Sequence, residues 1–294
     1  MPKRKHFQLK LPLRTLCLGQ RTLIMGVLNV TPDSFSDGGK FLDPQRAIEH
    51  ASAMERTGAD LLDIGGESTR PGSSGTPAEE ELARILPVLE GLRDRLKIPI
   101  SIDTQKAEVA EAAIAAGAEI INDISGLKND PRLAEVAARH RVPLILMHMR
   151  GKPRNMQKGL FARNVIQDVI RGLRASVAIA RRAGVAKSQL ILDPGIGFGK
   201  SFSQNYELLA KLHELAKLGF PLMVGTSRKG FLGNTLGRNG KPAPPEERIW
   251  GTAATVTASI LGGAHIVRVH EVSEMVQVAR VADCLLDPHV LPPS

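Results

Sequence analysis

Short apolar runs alternate with longer amphipathic segments along most of this chain. Eight runs rich in Val, Ile and Leu have the length of buried strands, and segments with helical periodicity lie between them. The predicted strands are Leu23–Asn29, Asp60–Gly65, Ile98–Asp103, Glu119–Asp123, Val142–His148, Gln189–Asp193, Pro221–Gly225 and His265–Val269. The predicted helices include Pro44–Thr57, Ala78–Leu96, Lys106–Ala116, Arg163–Ala183 and Glu246–Leu261. This alternation is typical of repeated βα units with parallel strands.

Parallel strands need long crossovers, so the pattern predicts an α/β fold. Eight such units close naturally into a single (β/α)8 TIM barrel, although an open doubly wound sheet would give similar local signals. Polar residues favour the barrel, because a group able to do chemistry ends or follows nearly every strand. These groups are Asn29, Asp63, Glu67, Asp103, Asn122, Asp123, His148, Asp193, Ser227, Lys229, Arg268 and His270. In a barrel they would all meet at the C-terminal face, where barrel enzymes keep their active sites.

Length and composition fit one such domain. A chain of 294 residues with 43% hydrophobic content can bury the core of one barrel. We expect a barrel domain over residues 21–287, a tail and lead-in over 1–20 that starts with the basic stretch Met1–Lys10, and a Pro-rich tail over 288–294. No apolar run approaches the ~20 residues that span a bilayer, and no signal peptide is recognisable.

Cysteine content and charge narrow the class of protein further. Cys17 and Cys284 are far apart in sequence, which fits a reducing cytoplasm better than a disulfide framework or a structural zinc site. The net charge of +9 could indicate nucleic acid, but the cations are spread along the chain and aromatic residues make up only 3%. An anionic small substrate, or solubility alone, explains the charge at least as well.

Two segments rich in Gly, Pro and other turn-forming residues follow the first two predicted strands and are predicted to be loops. NVTPDSFSDGG spans Asn29 to Gly39 and GGESTRPGS spans Gly65 to Ser73. Turn formers, carboxylates and Phe35 in the first favour a mobile lid over an ordinary surface loop. Arg70 in the second could pair with a carboxylate or phosphate, or could be a plain surface arginine.

Strand ends further along the chain divide into an acidic and a basic group. Asp103, Asn122 and Asp193 could read the donor edge of a flat, nitrogen-rich heterocycle. A metal site is the less favoured alternative, because Mg²⁺ commonly uses one or two carboxylates together with substrate phosphates. Basic residues follow strands seven and eight, where barrels frequently bind phosphate. A diphosphate is therefore the expected anion. Asp43, Asp123 and Ser203 fit local caps or supports better than ligands to substrate.

From about Thr22 to about Val281 the chain resembles the dihydropteroate synthases. The resemblance rests on NVTPDSFSDGG, GGESTRPG, SIDT, IND, LMHM, DPGIGFGK, TSRKGF and RVHEV, which occur in the family's order. It implies a transferase that forms a carbon–nitrogen bond between 4-aminobenzoate and (7,8-dihydropterin-6-yl)methyl diphosphate in folate biosynthesis. It also implies Mg²⁺ as cofactor, sulfonamides as mimics of 4-aminobenzoate, and a homodimer.

The resemblance assigns roles to individual residues. The implied pterin site is Asp103, Asn122, Asp193, Lys229 and Met147, with Asp63 in support. The implied diphosphate site is Asn29, Arg268, His270 and Thr69, with Asn29 also at the metal. The residues around 4-aminobenzoate are Phe35, Thr69, Arg70, Pro71, Phe198 and Ser227. Catalysis would rest on Arg268, His270 and Lys229, with Asp33 or Asp37 steadying a cation in a largely dissociative substitution.

Three other functions compete with this one. A pterin-binding methyltransferase on the same barrel would keep the acidic pocket but would not need the two loops or the pair Arg268 and His270. A catalytically silent paralogue would bind pterin without turnover. An RNA-binding protein would show steeply salt-dependent binding.

Overall fold

Eight parallel strands close into a barrel in the computed structural model, which describes residues 4–31, 43–68, 75–151 and 162–289. Two strands outside the barrel come first, β1 (Phe7–Lys10) and β2 (Thr15–Leu18). The eight barrel strands are β3 (Leu23–Asn29), β4 (Leu61–Gly65), β5 (Ile100–Asp103), β6 (Ile120–Asp123), β7 (Leu144–Met147), β8 (Leu190–Asp193), β9 (Met223–Val224) and β10 (Ile266–Val269). Strands β8 to β3 pair in descending order, then β3 pairs with β10 and β10 with β9. A parallel bridge from Leu192 to Leu222 joins the two ends. The predicted barrel is confirmed, and the open sheet is excluded.

Helices surround the sheet and return the chain from one strand to the next. In the described residues they are α1 (Pro44–Arg56), α2 (Ala78–Leu92), α3 (Ala107–Ala115), α4 (Arg132–His140), α5 (Val165–Arg182), α6 (Phe202–Ala210), α7 (Leu212–Ala216), α8 (Gly230–Leu236), α9 (Ile249–Leu261) and α10 (Val272–Leu286). Side chains cap the starts of three: Asp43 for α1, Asn164 for α5 and Ser201 for α6. The prediction that Asp43 is a cap is confirmed.

The helix predicted to start at Glu246 starts three residues later, so that predicted boundary is wrong. Residues Pro245–Arg248 form a 3₁₀ helix, and α9 begins at Ile249. Proline at Pro244 and Pro245 fixes two backbone angles and removes two N–H donors, so the regular helix starts only after this turn.

The main hydrophobic core lies between the outer face of the sheet and the helices. Alternate residues of each strand point outward to it, as Ile24 and Leu28 of β3 and Leu62 and Ile64 of β4 do. The residues between them point into the barrel. The strands are therefore buried on both faces, which explains their nearly continuous apolar sequences.

Residues 7–18 form an antiparallel hairpin of β1 and β2 that covers the N-terminal end of the barrel. Leu9, Leu11 and Leu18 of this hairpin join a second apolar cluster with inward-facing strand residues such as Met25 and Leu61. The prediction of a basic tail over Met1–Lys10 is thus wrong for Phe7–Lys10. Apolar positions alternate with exposed polar ones in each strand of the hairpin, which is a pattern typical of a half-buried strand. Each strand has only four residues, so this pattern is short, and the basic residues around it are more typical of a tail. Residues 1–3 and 290–294 lie outside the described residues.

Two sequence expectations can be compared directly with the structure. Cys17 is exposed and Cys284 is partly buried, and the two are not joined in a disulfide. Within the described ranges, every helix is too short or too polar to cross a bilayer.

Candidate active site

Strand periodicity builds the site in two layers inside the barrel. The lower layer is apolar and consists of Met25, Leu61, Ile120, Ile145, Ile191, Met223 and Ile266. Two residues further along a strand, the side chain points to the same interior face but lies nearer the C-terminal mouth. We call this second layer the upper ring, and it consists of Asp63, Asp103, Asn122, Met147, Asp193 and Arg268. The same alternation thus supplies both the barrel core and the polar groups above it.

Arg268 of β10 joins two carboxylates of the upper ring. Its Nε donates to Asp63 Oδ2 at 2.6 Å and its Nη2 donates to Asp103 Oδ2 at 2.8 Å. Asn122 Nδ2 also donates to Asp63 Oδ2, at 2.9 Å. The other side-chain oxygens of Asp63 and Asn122 are buried without a hydrogen-bond partner. Buried acceptors of this kind are costly unless a ligand pairs with them, so they mark a binding surface.

Burial brings the pKa values of several groups in the mouth towards neutrality. It raises the pKa of Asp103 to about 7, although the Arg268 guanidinium opposes the rise. It lowers the pKa of Lys229 to about 8, and Arg268 lowers it further while Asp193 and Asp103 oppose the fall. Burial also acts to lower the pKa of Arg268, but Asp63 and Asp103 more than offset it and the pKa is raised. Shifted groups around a polar mouth are characteristic of functional sites.

Asp193 and Lys229 border an apolar wall of the mouth. Asp193 Oδ1 accepts from the Gly195 N–H at 2.7 Å, and burial raises the pKa of Asp193 to about 6. Lys229 Nζ lies 4.0 Å from the ring centroid of Phe198. Phe198 forms a small buried cluster with Ile124, Met147 and Met149. A flat ring with polar edges would fit between these carboxylates and this wall.

Ser227 and His270 meet at the ends of β9 and β10. The Ser227 hydroxyl lies 2.8 Å from His270 Nδ1 and 3.1 Å from Glu271 Oε2. Glu271 Oε1 accepts from Nε of Arg228. The sequence interpretation named Ser227 and His270 but missed Glu271, which follows them in RVHEV as an apparent helix-start carboxylate.

Lys200 is a second residue that the sequence interpretation missed. Its side chain is only 2% exposed, and Nζ donates to the carbonyl oxygens of Gly195, Phe198 and His148 at 2.8, 3.0 and 3.1 Å. His148 Nδ1 lies 3.2 Å from the same ammonium. His148 therefore belongs to this buried cluster. Lys200 holds the loop that carries Phe198.

Other polar strand-end residues have local roles. Asp123 accepts from the backbone N–H groups of Ser125 and Leu127, so its prediction as a cap is confirmed. Glu67 pairs with Lys106, which also binds the buried Glu81. These three groups tie the start of the GGESTRPGS loop to β5 and α2.

The structure leaves some predicted site residues untested. Asp33, Phe35, Asp37, Thr69, Arg70 and Pro71 lie outside the described residues. Asn29 ends β3, four residues after the inward-facing Met25, and so lies at the C-terminal mouth of the barrel. No cluster of three or more His, Cys, Asp or Glu able to hold a metal occurs in the described part of the chain.

Comparison with known proteins identifies the family. The pterin binding enzyme family matches residues 25–270. A dihydropteroate synthase from Synechocystis sp. is 51% identical over 267 residues, which is 91% of each chain. The structure of a Xanthomonas albilineans dihydropteroate synthase with 4-aminobenzoic acid has a TM-score of 0.88 at 41% identity, covering 98% of this chain and 100% of that one. A Yersinia pestis dihydropteroate synthase with a sulfonamide drug has a TM-score of 0.86 at 43% identity, covering 96% and 98%. The chain belongs to the dihydropteroate synthase family.

Membership in the dihydropteroate synthase family confirms the resemblance seen in the motifs. The matched residues 25–270 begin within β3 and end just after β10, so they include the whole upper ring. The dihydropteroate synthases are transferases that form a carbon–nitrogen bond, and this chain is therefore an enzyme of that class.

Proposed function

We propose that this chain condenses 4-aminobenzoate with (7,8-dihydropterin-6-yl)methyl diphosphate to give 7,8-dihydropteroate and diphosphate. The upper ring carries the proposal, because it sets carboxylate and amide acceptors beside cations in one barrel mouth. A dihydropterin offers several N–H donors along one edge, whereas its diphosphate arm is anionic. Each half of this substrate thus finds complementary groups at neighbouring strand ends.

We assign the pterin ring to the acidic side of the mouth. Asp103, Asn122 and Asp193 supply acceptors for its N–H edge, and the unpaired Asn122 Oδ1 supports this assignment. Met147 packs against the ring, and Lys229 lies at its border with the diphosphate. Asp63 supports both, because it holds Asn122 and Arg268.

The diphosphate and Mg²⁺ are assigned to the other side. Arg268 and His270 bind the diphosphate as cationic or N–H donor groups, and Thr69 is assigned there with them. Asn29, at the mouth end of β3, would hold a Mg²⁺ ion through its amide oxygen, which is a ligand type that this ion accepts beside substrate phosphates. When bound, the ion supplies positive charge to the departing diphosphate.

The reaction needs no activated protein nucleophile, because the amine of 4-aminobenzoate attacks. The bond between the pterin methylene carbon and the diphosphate oxygen breaks, a carbon–nitrogen bond forms, and the amine gives up one proton. We infer a largely dissociative substitution, in which Arg268 and His270 stabilise the departing anion. Asp103 and Asp193 stabilise positive charge that develops on the ring.

Asp33 or Asp37 is proposed to steady the same cation. Replacing each with Asn separately should lower turnover for at least one of the two variants. Unchanged turnover in both would contradict this part of the mechanism.

4-Aminobenzoate is assigned to the rim beside Phe198 and Ser227, and sulfonamides are expected to occupy the same site. The structures of the Xanthomonas relative with 4-aminobenzoic acid and of the Yersinia relative with a sulfonamide drug support these two kinds of ligand. The remaining residues assigned to this site are Phe35, Thr69, Arg70 and Pro71.

We also propose a cytoplasmic homodimer. Two cysteines that are not joined in a disulfide suit a reducing compartment. Exposed apolar side chains on α9 and α10, among them Trp250 and Leu285, support a contact between two copies.

Coupled product formation tests the proposal. Purified protein should release diphosphate from (7,8-dihydropterin-6-yl)methyl diphosphate with Mg²⁺, and should form dihydropteroate when 4-aminobenzoate is added. The Asp103→Asn variant should lose most of this activity, whereas Asp94→Asn, at an exposed carboxylate that follows α2, should retain it. Pterin binding without product in the unaltered protein would instead indicate a silent paralogue.

A further inference from the structure

The hydroxyl of Ser227 is surrounded by three hydrogen-bonding groups. Its oxygen lies 3.1 Å from Glu271 Oε2, 2.8 Å from His270 Nδ1 and 3.2 Å from the backbone nitrogen of His270. A hydroxyl can donate one hydrogen and accept two. These three partners therefore use its whole hydrogen-bonding capacity.

The chemistry of the partners fixes the direction of each bond. A carboxylate only accepts, so the Ser227 hydrogen is donated to Glu271. The backbone N–H of His270 only donates. The remaining contact is satisfied only if His270 Nδ1 carries a hydrogen and donates it to Ser227. The neutral ring then has its lone pair on Nε2.

Arg228 holds the Glu271 carboxylate in this orientation. Its Nε donates to Glu271 Oε1, which leaves Oε2 for Ser227. Arg228 has a positive φ of 59° and is itself held, because Arg248 Nη1 donates to its carbonyl oxygen at 2.7 Å. The carboxylate cannot exchange its two oxygens without breaking the contact with the guanidinium.

We propose that Glu271 is a positioning residue that fixes, through Ser227, the ring orientation and Nδ1–H tautomer of His270. Because Nδ1 donates to Ser227, His270 can contact the departing diphosphate only through Nε2, which donates to it when the ring takes up a second proton. This inference rests on the proposed function for the identity of the anion. The tautomer itself follows from the contacts alone.

The Glu271→Gln substitution tests this role because it reverses the hydrogen-bond direction. The amide oxygen of Gln should face the Arg228 donor, so its NH₂ group should face Ser227. Ser227 must then donate to His270 Nδ1, and the hydrogen on the ring should move to Nε2. Histidine ¹⁵N NMR at a pH where the ring is neutral reports which nitrogen is protonated, and a His270→Gln sample assigns the signal among the eight histidines.

Kinetics then separate positioning from folding. We expect Glu271→Gln to raise KM for the pterin diphosphate and to weaken binding of inorganic diphosphate on the order of 10-fold. A ring that accepts from Ser227 at Nδ1 cannot take up the second proton that makes it a cation, so the anion loses a charged donor. In a Ser227→Ala background, Glu271→Gln should change either constant by less than about 2-fold, because the hydroxyl that connects Glu271 to His270 is already absent. The control is Glu274→Gln, which alters an exposed carboxylate in the first turn of α10 and should change neither KM nor diphosphate binding.

Three results would overturn the proposal. They are a hydrogen on Nε2 in the unaltered protein, an unchanged tautomer in folded Glu271→Gln, and fully additive effects of Glu271→Gln and Ser227→Ala. If Glu271→Gln does not fold, Ser227→Ala alone should release the Nδ1 preference. A protein that shows the tautomer switch but forms no dihydropteroate would refute the proposed function and leave the role of Glu271 intact.

Discussion

Asp63 is fully buried and places two different parts of the site. It accepts from Asn122, assigned to the pterin, and from Arg268, assigned to the diphosphate. A buried carboxylate is stable only when it is paired, so Asp63 and Arg268 stabilise each other's charged forms. The two subsites therefore share one electrostatic support.

The Arg268→Met variant should raise the pKa of Asp103 above its value of about 7. Burial raises this pKa, and the guanidinium is the strongest group that opposes the rise, so its removal leaves the burial effect less compensated. Carboxyl ¹³C NMR titration of labelled Asp would measure the shift. Arg171→Met, at an exposed arginine, is the matched control. An unchanged or lowered pKa in Arg268→Met would contradict the assigned cause.

Replacing Lys200 with Met should lower the free energy of unfolding by at least about 2 kcal/mol, because buried carbonyl groups lose their donor. The affected carbonyls belong to His148, Gly195 and Phe198. Urea unfolding would measure the loss, and Lys211→Met, at an exposed lysine, is the control. KM for 4-aminobenzoate should rise as well, since the loop carries Phe198.

The effect of Lys200 on stability should also depend on pH. Burial lowers its pKa from 10.5 to about 7, so between these values the unfolded chain binds more protons than the folded one. The free energy of unfolding of the unaltered protein, minus that of Lys200→Met, should therefore rise from pH 7 to pH 10. A constant difference in urea midpoints would show that the folded ammonium keeps its ordinary pKa, and a falling one would show that its pKa is raised.

The residues of the upper ring were predictable because they lie at strand ends and every second side chain of a strand points into the barrel. Asp103, Asn122 and Asp193 each follow an inward-facing small or apolar residue by two positions. Lys200 and Glu271 were not predictable in this way. A lysine in a glycine-rich loop and a glutamate at a helix start are usually exposed, and only the folded chain brings their partners to them.

At the scale of elements, the hairpin of β1 and β2 is part of the barrel core. Leu9→Ala should lower the free energy of unfolding by about 2–5 kcal/mol, since Leu9 is 1% exposed and packs in one cluster with the inward-facing residues of the lower layer. Leu13→Ala provides the control in the turn of the same hairpin, because Leu13 is 78% exposed and should change stability by less than about 0.5 kcal/mol. Equal small effects from both would mean that the hairpin does not close the barrel.

The strands of the barrel were predicted from the sequence, whereas the hairpin of β1 and β2 was not. Buried strands with apolar residues on both faces, such as β3, leave a clear signal, and its bounds were predicted at both ends. The hairpin has four-residue strands with polar residues on one face and a basic surrounding sequence. Its pairing depends on contacts with strands far along the chain, which local periodicity does not report.

At the scale of the whole molecule, the proposed homodimer must cover apolar surface that the barrel leaves exposed. Val281 and Leu285 lie four residues apart on α10 and are 65% and 58% exposed, so they share one outward face. Trp250 on α9 is 80% exposed. Specific dimers bury about 800 Å² from each partner, which an interface extending over parts of both helices could provide.

A variant carrying both Val281→Glu and Leu285→Glu should therefore be monomeric at concentrations where the unaltered protein sediments as a dimer. Burying two additional carboxylates from each copy would cost more than the contact supplies. Ser273→Glu adds a carboxylate to an exposed position at the other end of the same helix and should stay dimeric. Sedimentation velocity separates the outcomes. A dimer that survives the double substitution must use another face, whereas a monomer before any substitution would refute the homodimer itself.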